Sequence, residues 1–115
     1  MTKLHYSYIF CAICLFTASA FYLEQSLDSK PSPTRGKIFY TQFACANCHG
    51  KFGQGVNLTD GGGPSLLPNL VSPATFMRQL RNPRLNMPIY SENLISDNQI
   101  TDIYAHLNAL KNGAQ

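Results

Sequence analysis

Cys45-Ala46-Asn47-Cys48-His49 is the stretch on which the reading of this 115-residue chain turns. Two cysteines separated by two residues and followed at once by histidine admit a redox disulfide, half of a zinc site, a covalent haem attachment site, or coincidence. A zinc site needs two further ligands, and beyond residue 23 the chain adds no cysteine to this motif and only one histidine, His106. A thioredoxin-like pair belongs at the end of a strand in an alternating strand and helix pattern, and no strand-like run is present. The haem alternative asks for what is here. Each thiol can add across a haem vinyl group to form a thioether, and the two-residue gap matches the separation of the two vinyls. The adjoining imidazole of His49 then reaches the iron from the side of the ring on which the peptide lies.

The other cysteine pair, Cys11 and Cys14, is followed by Leu15 where a haem site needs histidine, and it lies in an apolar segment. Its residues read as small apolar components of a membrane-inserting leader. From Tyr6 to Leu23 no side chain carries an obligate charge, Lys3 precedes the run, and Ala18-Ser19-Ala20 offers the small-x-small pattern of a signal-peptidase site. Residues 1–20 are therefore expected to be a signal peptide; retention of residues 6–23 as a membrane anchor is the alternative. Either fate keeps Lys3 on the cytoplasmic side and delivers the rest across the membrane, to the periplasm or an equivalent exported location.

Residues 24–34 are polar with two prolines, so residues 21–33 read as a linker and residues 34–112 as the folded domain. That domain lacks tryptophan and is rich in glycine and proline, so its core calls for help from a bound group. The net charge of +3 includes Lys3, and the basic residues are scattered, which argues against nucleic acid as a partner.

Helix signals fall in three places. Gly36, Ile38, Phe39, Tyr40 and Phe43 suggest a short amphipathic helix running into Cys45, with Thr34 as N-cap. Ser72-Pro73 opens a second helix with Phe76, Met77 and Leu80 on its apolar stripe, ended by Asn82-Pro83. Ser96 and Gln99 form a capping box before Ile100, Ile103, Tyr104, Leu107 and Leu110, and Asn112-Gly113 closes that helix. Between the first two, residues 50–71 hold Gly50, Gly53, Gly55, Gly61, Gly62, Gly63, Pro64 and Pro68, a long ordered loop that needs something to wrap around.

With His49 on one side of an iron, the sixth ligand separates an electron carrier from a gas binder or enzyme. Met87 lies in a loop beside Pro88; Met77 fits the apolar stripe of its helix; His106, four residues after Asp102, reads as half of a surface ion pair. Met87 is the expected ligand. A thioether favours Fe(II) and a filled coordination sphere excludes substrates, which points to one-electron transfer.

In the order of these features the chain resembles the class I, monohaem c-type cytochromes of bacteria, over most of residues 34–111. Gly36 with Phe39 or Tyr40, and Tyr104 with Leu107, resemble the glycine-aromatic and Tyr-x-x-Leu pairs of that family's crossing terminal helices. Met87-Pro88-Ile89-Tyr90 is similar to its ligand loop. Pro64 resembles its loop proline, whose carbonyl accepts a hydrogen bond from the proximal histidine. Arg81-Asn82-Pro83-Arg84 looks like members that serve periplasmic dehydrogenases or terminal oxidases. Propionate contacts do not carry over, because the tryptophan is missing; Arg78, Arg81 or Arg84 could serve instead.

The resemblance implies an all-α fold with three main helices and long loops around one covalent haem c. Cys45 and Cys48 are the attachment residues, His49 and Met87 the iron ligands, and Pro64 lies behind His49. It implies a monomeric shuttle between a dehydrogenase or reductase and an oxidase, or a haem-bearing subunit of a larger oxidoreductase, with redox proteins as donor and acceptor. A ligand-binding or catalytic haem protein, in which Met87 is displaced, is the competing class.

Overall fold

In the computed structural model, which describes residues 30–113, a serine starts each of the three long helices. The Ser32 hydroxyl accepts from the Arg35 amide ahead of α1 (Pro33–Gln42), and a short helix α2 (Cys45–His49) follows. Ser72 accepts from Thr75 at the start of α3 (Pro73–Arg81), and Ser96 from Gln99 at the start of α4 (Asp97–Lys111). These oxygens satisfy amides that have no partner within their own helix. At α4 the Gln99 side chain returns the bond to the Ser96 amide, completing the expected capping box. One 3-10 turn, Leu58–Asp60, interrupts the glycine-rich loop, and no strand occurs among the described residues. The fold is all-helical, as expected. The leader, whether residues 1–20 or an anchor over 6–23, lies outside the described residues, as does the linker up to Ser29.

The first helix differs from expectation in three respects. Its cap is Ser32, ahead of Thr34, so the compact unit already includes Pro31 and Ser32. It does not run into Cys45: it stops at Gln42, and Ala44 turns the chain with φ of 60° before α2 begins. Ile38 is 59% exposed, because Gly36 and Tyr40, one turn apart, define the buried face and Ile38 projects from the opposite side.

The two terminal helices pack more extensively than any other pair, and Gly36 is where they meet. A β-carbon placed there would lie 2.5 Å from the Asp102 carbonyl carbon and 2.9 Å from His106 Cβ, and would overlap the Asp102 carbonyl oxygen. Only glycine allows this approach. Beside the crossing, the Asp102 carboxylate accepts from the Ser32 amide at 2.6 Å and from Arg35 Nε and Nη2 at 2.7 and 3.0 Å. A carboxylate this well satisfied can be buried without leaving an uncompensated charge.

Asp102 and His106 therefore do not form the expected surface pair. Both lie on the inner stripe of α4 with Ile103 and Leu107, and His106 is 7% exposed with its ring 5.8 Å from that of Tyr40. Arg35 takes the carboxylate instead. Two hydrophobic clusters complete the interior: Tyr40, Ile103 and Leu107 beneath the crossing, and Leu80, Tyr90, Ile95 and Ile100 where α3 meets α4. Phe43 and Phe76 pack against both, so the clusters share a wall.

Two outcomes follow. Gly36→Ala should destabilise the protein by about 2–3 kcal/mol in denaturant unfolding, since backbone and not a flexible side chain blocks the methyl. Burial, and then the positive charge of Lys37, lowers the pKa of His106 from its ordinary value. The unfolded chain takes up that proton more readily, so this contribution to stability is complete above the unfolded-state pKa and is lost as pH falls through it toward the folded-state value. Unfolding midpoints measured between pH 7.5 and 5 should fall for the wild type, and His106→Asn should flatten that slope.

Candidate functional site

The left-handed turn at Ala44 sets the direction of the short helix carrying both thiols. Cys45 and Cys48 stand at i and i+3, one helical turn apart on the same side. Cys45 is half-buried against the Tyr40–Ile103–Leu107 cluster, Cys48 is exposed, and neither is in a disulfide. Burial pushes the Cys45 thiol up to about 11; a backbone hydrogen bond opposes this and Cys48 adds to it. A redox dithiol requires the reverse, an attacking thiol with a depressed pKa. At neutral pH the Cys45 sulfur is a protonated thiol held against apolar side chains.

His49 ends that helix, and the glycine-rich loop folds back onto it. Its Nδ1 lies 2.8 Å from the Pro64 carbonyl oxygen. A carbonyl can only accept, so Nδ1 carries the proton and Nε2 keeps its lone pair as a donor to a metal. Nε2 has no hydrogen bond to any described residue. Backbone bonds anchor the loop to the same segment: Gly63 N–H to the Cys48 carbonyl at 2.6 Å, Gly55 N–H to that of His49 at 2.7 Å, and Val56 N–H to that of Gly63 at 3.0 Å. The Tyr40 hydroxyl donates to the Gly50 carbonyl at 2.9 Å, fixing the end of α2 to α1.

Gly63 has a specific reason to be glycine, since a β-carbon there would sit 2.8 Å from His49 Cε1 and 2.9 Å from Nδ1. At Gly55 the constraint is both conformational, with φ of 87°, and steric, the Ser65 amide being 2.7 Å from such a carbon. From sequence these residues read only as helix breakers. What they supply is room for the imidazole and for the loop that holds it.

Met87 is half-buried against the Leu80–Tyr90–Ile95–Ile100 cluster, and Met77 packs there too. The loop that carries Met87 is closed at its base by two bonds on one residue. Tyr90 N–H donates to the Leu80 carbonyl at 3.0 Å, and Arg81 Nη1 donates to the Tyr90 carbonyl at 2.7 Å. The same guanidinium pairs with Asp97 at the start of α4. Arg81 thus serves the loop, and of the expected propionate partners only Arg78 and Arg84 keep exposed side chains. The Tyr90 hydroxyl reaches the Phe43 carbonyl at 3.0 Å, two residues before Cys45, tying the Met87 loop to the thiol-bearing segment. Gln79 Nε2 lies 3.8 Å from the Met87 sulfur.

These residues fit a haem c. Two thiols one turn apart match two points of attachment, His49 offers a nitrogen with a fixed tautomer, and Met87 offers a neutral thioether. Phe43 and Phe76 give an apolar wall shared by the segments bearing the two candidate ligands. Among the described residues no three His, Cys, Asp or Glu side chains are grouped to hold a metal ion by themselves, whereas an iron already held by a porphyrin needs only axial ligands.

The family model described as "Cytochrome C oxidase, cbb3-type, subunit III" matches residues 31–107. No curated protein and no solved structure gives a significant match.

The crowding at Gly63 can be separated from the general need for turns. Gly63→Ala should cost about 1–3 kcal/mol in denaturant unfolding. Gly61→Asn should stay within about 0.5 kcal/mol, since Gly61 has nothing within 4 Å of its would-be β-carbon and asparagine tolerates a left-handed turn.

Proposed function

We propose that this chain, which belongs to the c-type cytochrome family defined by the cbb3-type oxidase subunit III model, carries single electrons between redox proteins on one covalently attached haem c. Cytochrome c domains perform haem-based electron transfer; the thioether bonds to Cys45 and Cys48, the His49 and Met87 ligation and the exported location are the proposal. The observation that carries it is the His49–Pro64 hydrogen bond, which holds an imidazole in one tautomer directly after two thiols spaced for haem attachment.

Bound haem supplies the Fe(III)/Fe(II) couple. The chain's residues do the rest. Cys45 and Cys48 would tether the ring, each thiol adding its S–H across a vinyl group with no oxidant consumed. Proton donation from Nδ1 to Pro64 makes His49 a stronger and better oriented donor at Nε2. As a ligand, the Met87 thioether would favour the ferrous state and occupy the position a substrate would need, which would keep the site to electron transfer. Phe43 and Phe76 present apolar surface to the group and restrict water.

The apolar leader with its small-x-small ending supports assembly outside the cytoplasm, in the periplasm, with residues 1–20 removed or residues 6–23 retained as a tether. Donor and acceptor are redox proteins, a dehydrogenase or reductase on one side and an oxidase on the other. A second reading, a haem-bearing subunit of a larger oxidoreductase, draws on the printed description of the matching family. It shares the chemistry and differs in whether the chain purifies alone or in a complex.

The ferric protein, made in an oxidising, haem-loading compartment, should be six-coordinate and low-spin with a sulfur-to-iron charge-transfer band. Met87→Ala should abolish that band and Met77→Ala should keep it. Intact-mass analysis should find one haem per chain and report the fate of residues 1–20. Rapid carbon monoxide binding by the untreated ferrous protein would overturn the carrier reading in favour of a ligand-binding or catalytic one.

A further inference from the structure

We infer that Leu85 is a docking residue: with Ile89 and the basic end of α3 it forms the contact surface for a protein partner whose face carries an apolar recess edged by carboxylates. The inference rests on the carrier reading above and gives the partner a chemistry.

Leu85 is 98% exposed, more than any other large apolar side chain among the described residues, and its φ of 60° puts it in the left-handed region. Both conditions are unfavourable. The left-handed conformation crowds a β-carbon, and glycine or asparagine would occupy it with less strain. A leucine in water adds nothing to the core that could offset this. Elsewhere the described chain mostly uses glycine where φ is positive, at Gly50, Gly53, Gly55, Gly61 and Gly113; the other exception, Ala44, carries only a methyl. Neither the core nor the turn therefore calls for leucine at position 85.

Its neighbours in the chain say what it faces. Leu85 and Ile89, the latter 69% exposed, stand two residues either side of Met87, so their α-carbons lie within about 7 Å of that of Met87. A partner seated on them is brought close to the candidate ligand, which serves an exchange of electrons. Leu85 does not belong to the wall of the site itself. Phe43, Phe76 and Met87, which do, are each half-buried among protein neighbours, whereas almost all of Leu85 is uncovered.

The charge around this surface has one sign. No aspartate or glutamate occurs between Asp60 and Glu92, and Arg78, Arg81 and Arg84 all fall in that interval. Asp97 pairs with Arg81, while Arg78 and Arg84 are exposed and have no ion pair among the described residues. A basic rim beside an apolar knob fits the opposite pattern, carboxylates beside an apolar recess. The charges orient the encounter, and burial of leucine supplies the affinity. An anionic lipid surface shares that chemistry but accepts no electron, so placement of the knob beside Met87 favours a redox protein.

The test is voltammetry of the haem-loaded, full-length protein at gold electrodes coated with mixed methyl- and carboxylate-terminated alkanethiols, which present the apolar and acidic chemistry of such a face. Leu85→Asn should need about tenfold more protein for half-maximal current on the mixed coating and match the wild type on an all-carboxylate coating. It should also keep the sulfur-to-iron band and unfold at a higher denaturant midpoint, since asparagine tolerates the left-handed turn. Arg84→Gln should weaken binding to both coatings about two- to fivefold, an effect that added salt removes. A lower midpoint or a lost band in Leu85→Asn overturns the inference, because Leu85 is then part of the fold or of the site wall. An equal loss in Ile38→Gln, on the outer side of α1, overturns it too, since any exposed apolar residue then serves. Leucine-dependent binding to vesicles of anionic phospholipid overturns it in favour of a lipid surface. Failure of the carrier reading looks different and removes the inference with it: the wild type itself would give no reversible wave on any coating.

Discussion

The close approach of α1 and α4 at Gly36 is the constraint from which the rest of the molecule hangs. Removing a single side chain lets two backbones touch, and the contact is secured beside it by the Asp102 carboxylate, which closes on Arg35 and on the capped start of α1. With the crossing set, Tyr40 falls one turn along, in the core. Its hydroxyl then determines where the end of the cysteine-bearing helix stops.

A common device recurs on the outer side of that framework. Backbone carbonyls in irregular segments have no ladder to join, and here long side chains supply their donors. Tyr40 serves Gly50, Tyr90 serves Phe43, Arg81 serves Tyr90 and Tyr104 serves Val71. Each bond joins segments distant in sequence or locks the base of a loop. A domain with no strand among its described residues, no tryptophan and long loops can in this way hold two candidate ligand segments in place without a large core.

Much of this was legible in the residues, for a physical reason: caps, breakers and attachment motifs are local. Ser72, Ser96 and Gln99 announce helix starts because one side chain meets an amide three residues away. Cys45, Cys48 and His49 are informative because their chemistry requires fixed spacing. The misreadings concern long-range geometry. His106 and Asp102, four apart on a helix, look like a surface pair until α1 is laid over them, and nothing near residue 102 signals that Arg35 will claim the carboxylate. Thr34 and Ser32 are equally good caps in isolation; the Asp102 contact to the Ser32 amide belongs to the later one's rival. Gln79 and Gly63 carry no local signature at all, since their partners are reached only when the Met87 loop and the glycine loop have closed.

The crossing also has an architectural consequence. The contacts at Asp102 reach back 67 and 70 positions along the chain, so nearly everything between α1 and α4 is one large ring closed by a helical clasp. The entropy of closing such a ring grows only with the logarithm of its length, about 0.6 kcal/mol for a doubling. Gly61, in the glycine loop with nothing within 4 Å of where a β-carbon would sit, is therefore a place where the ring can lengthen at small cost. A cytochrome built this way can acquire a new recognition loop there while the clasp, and the candidate ligand residues it positions, stay unchanged.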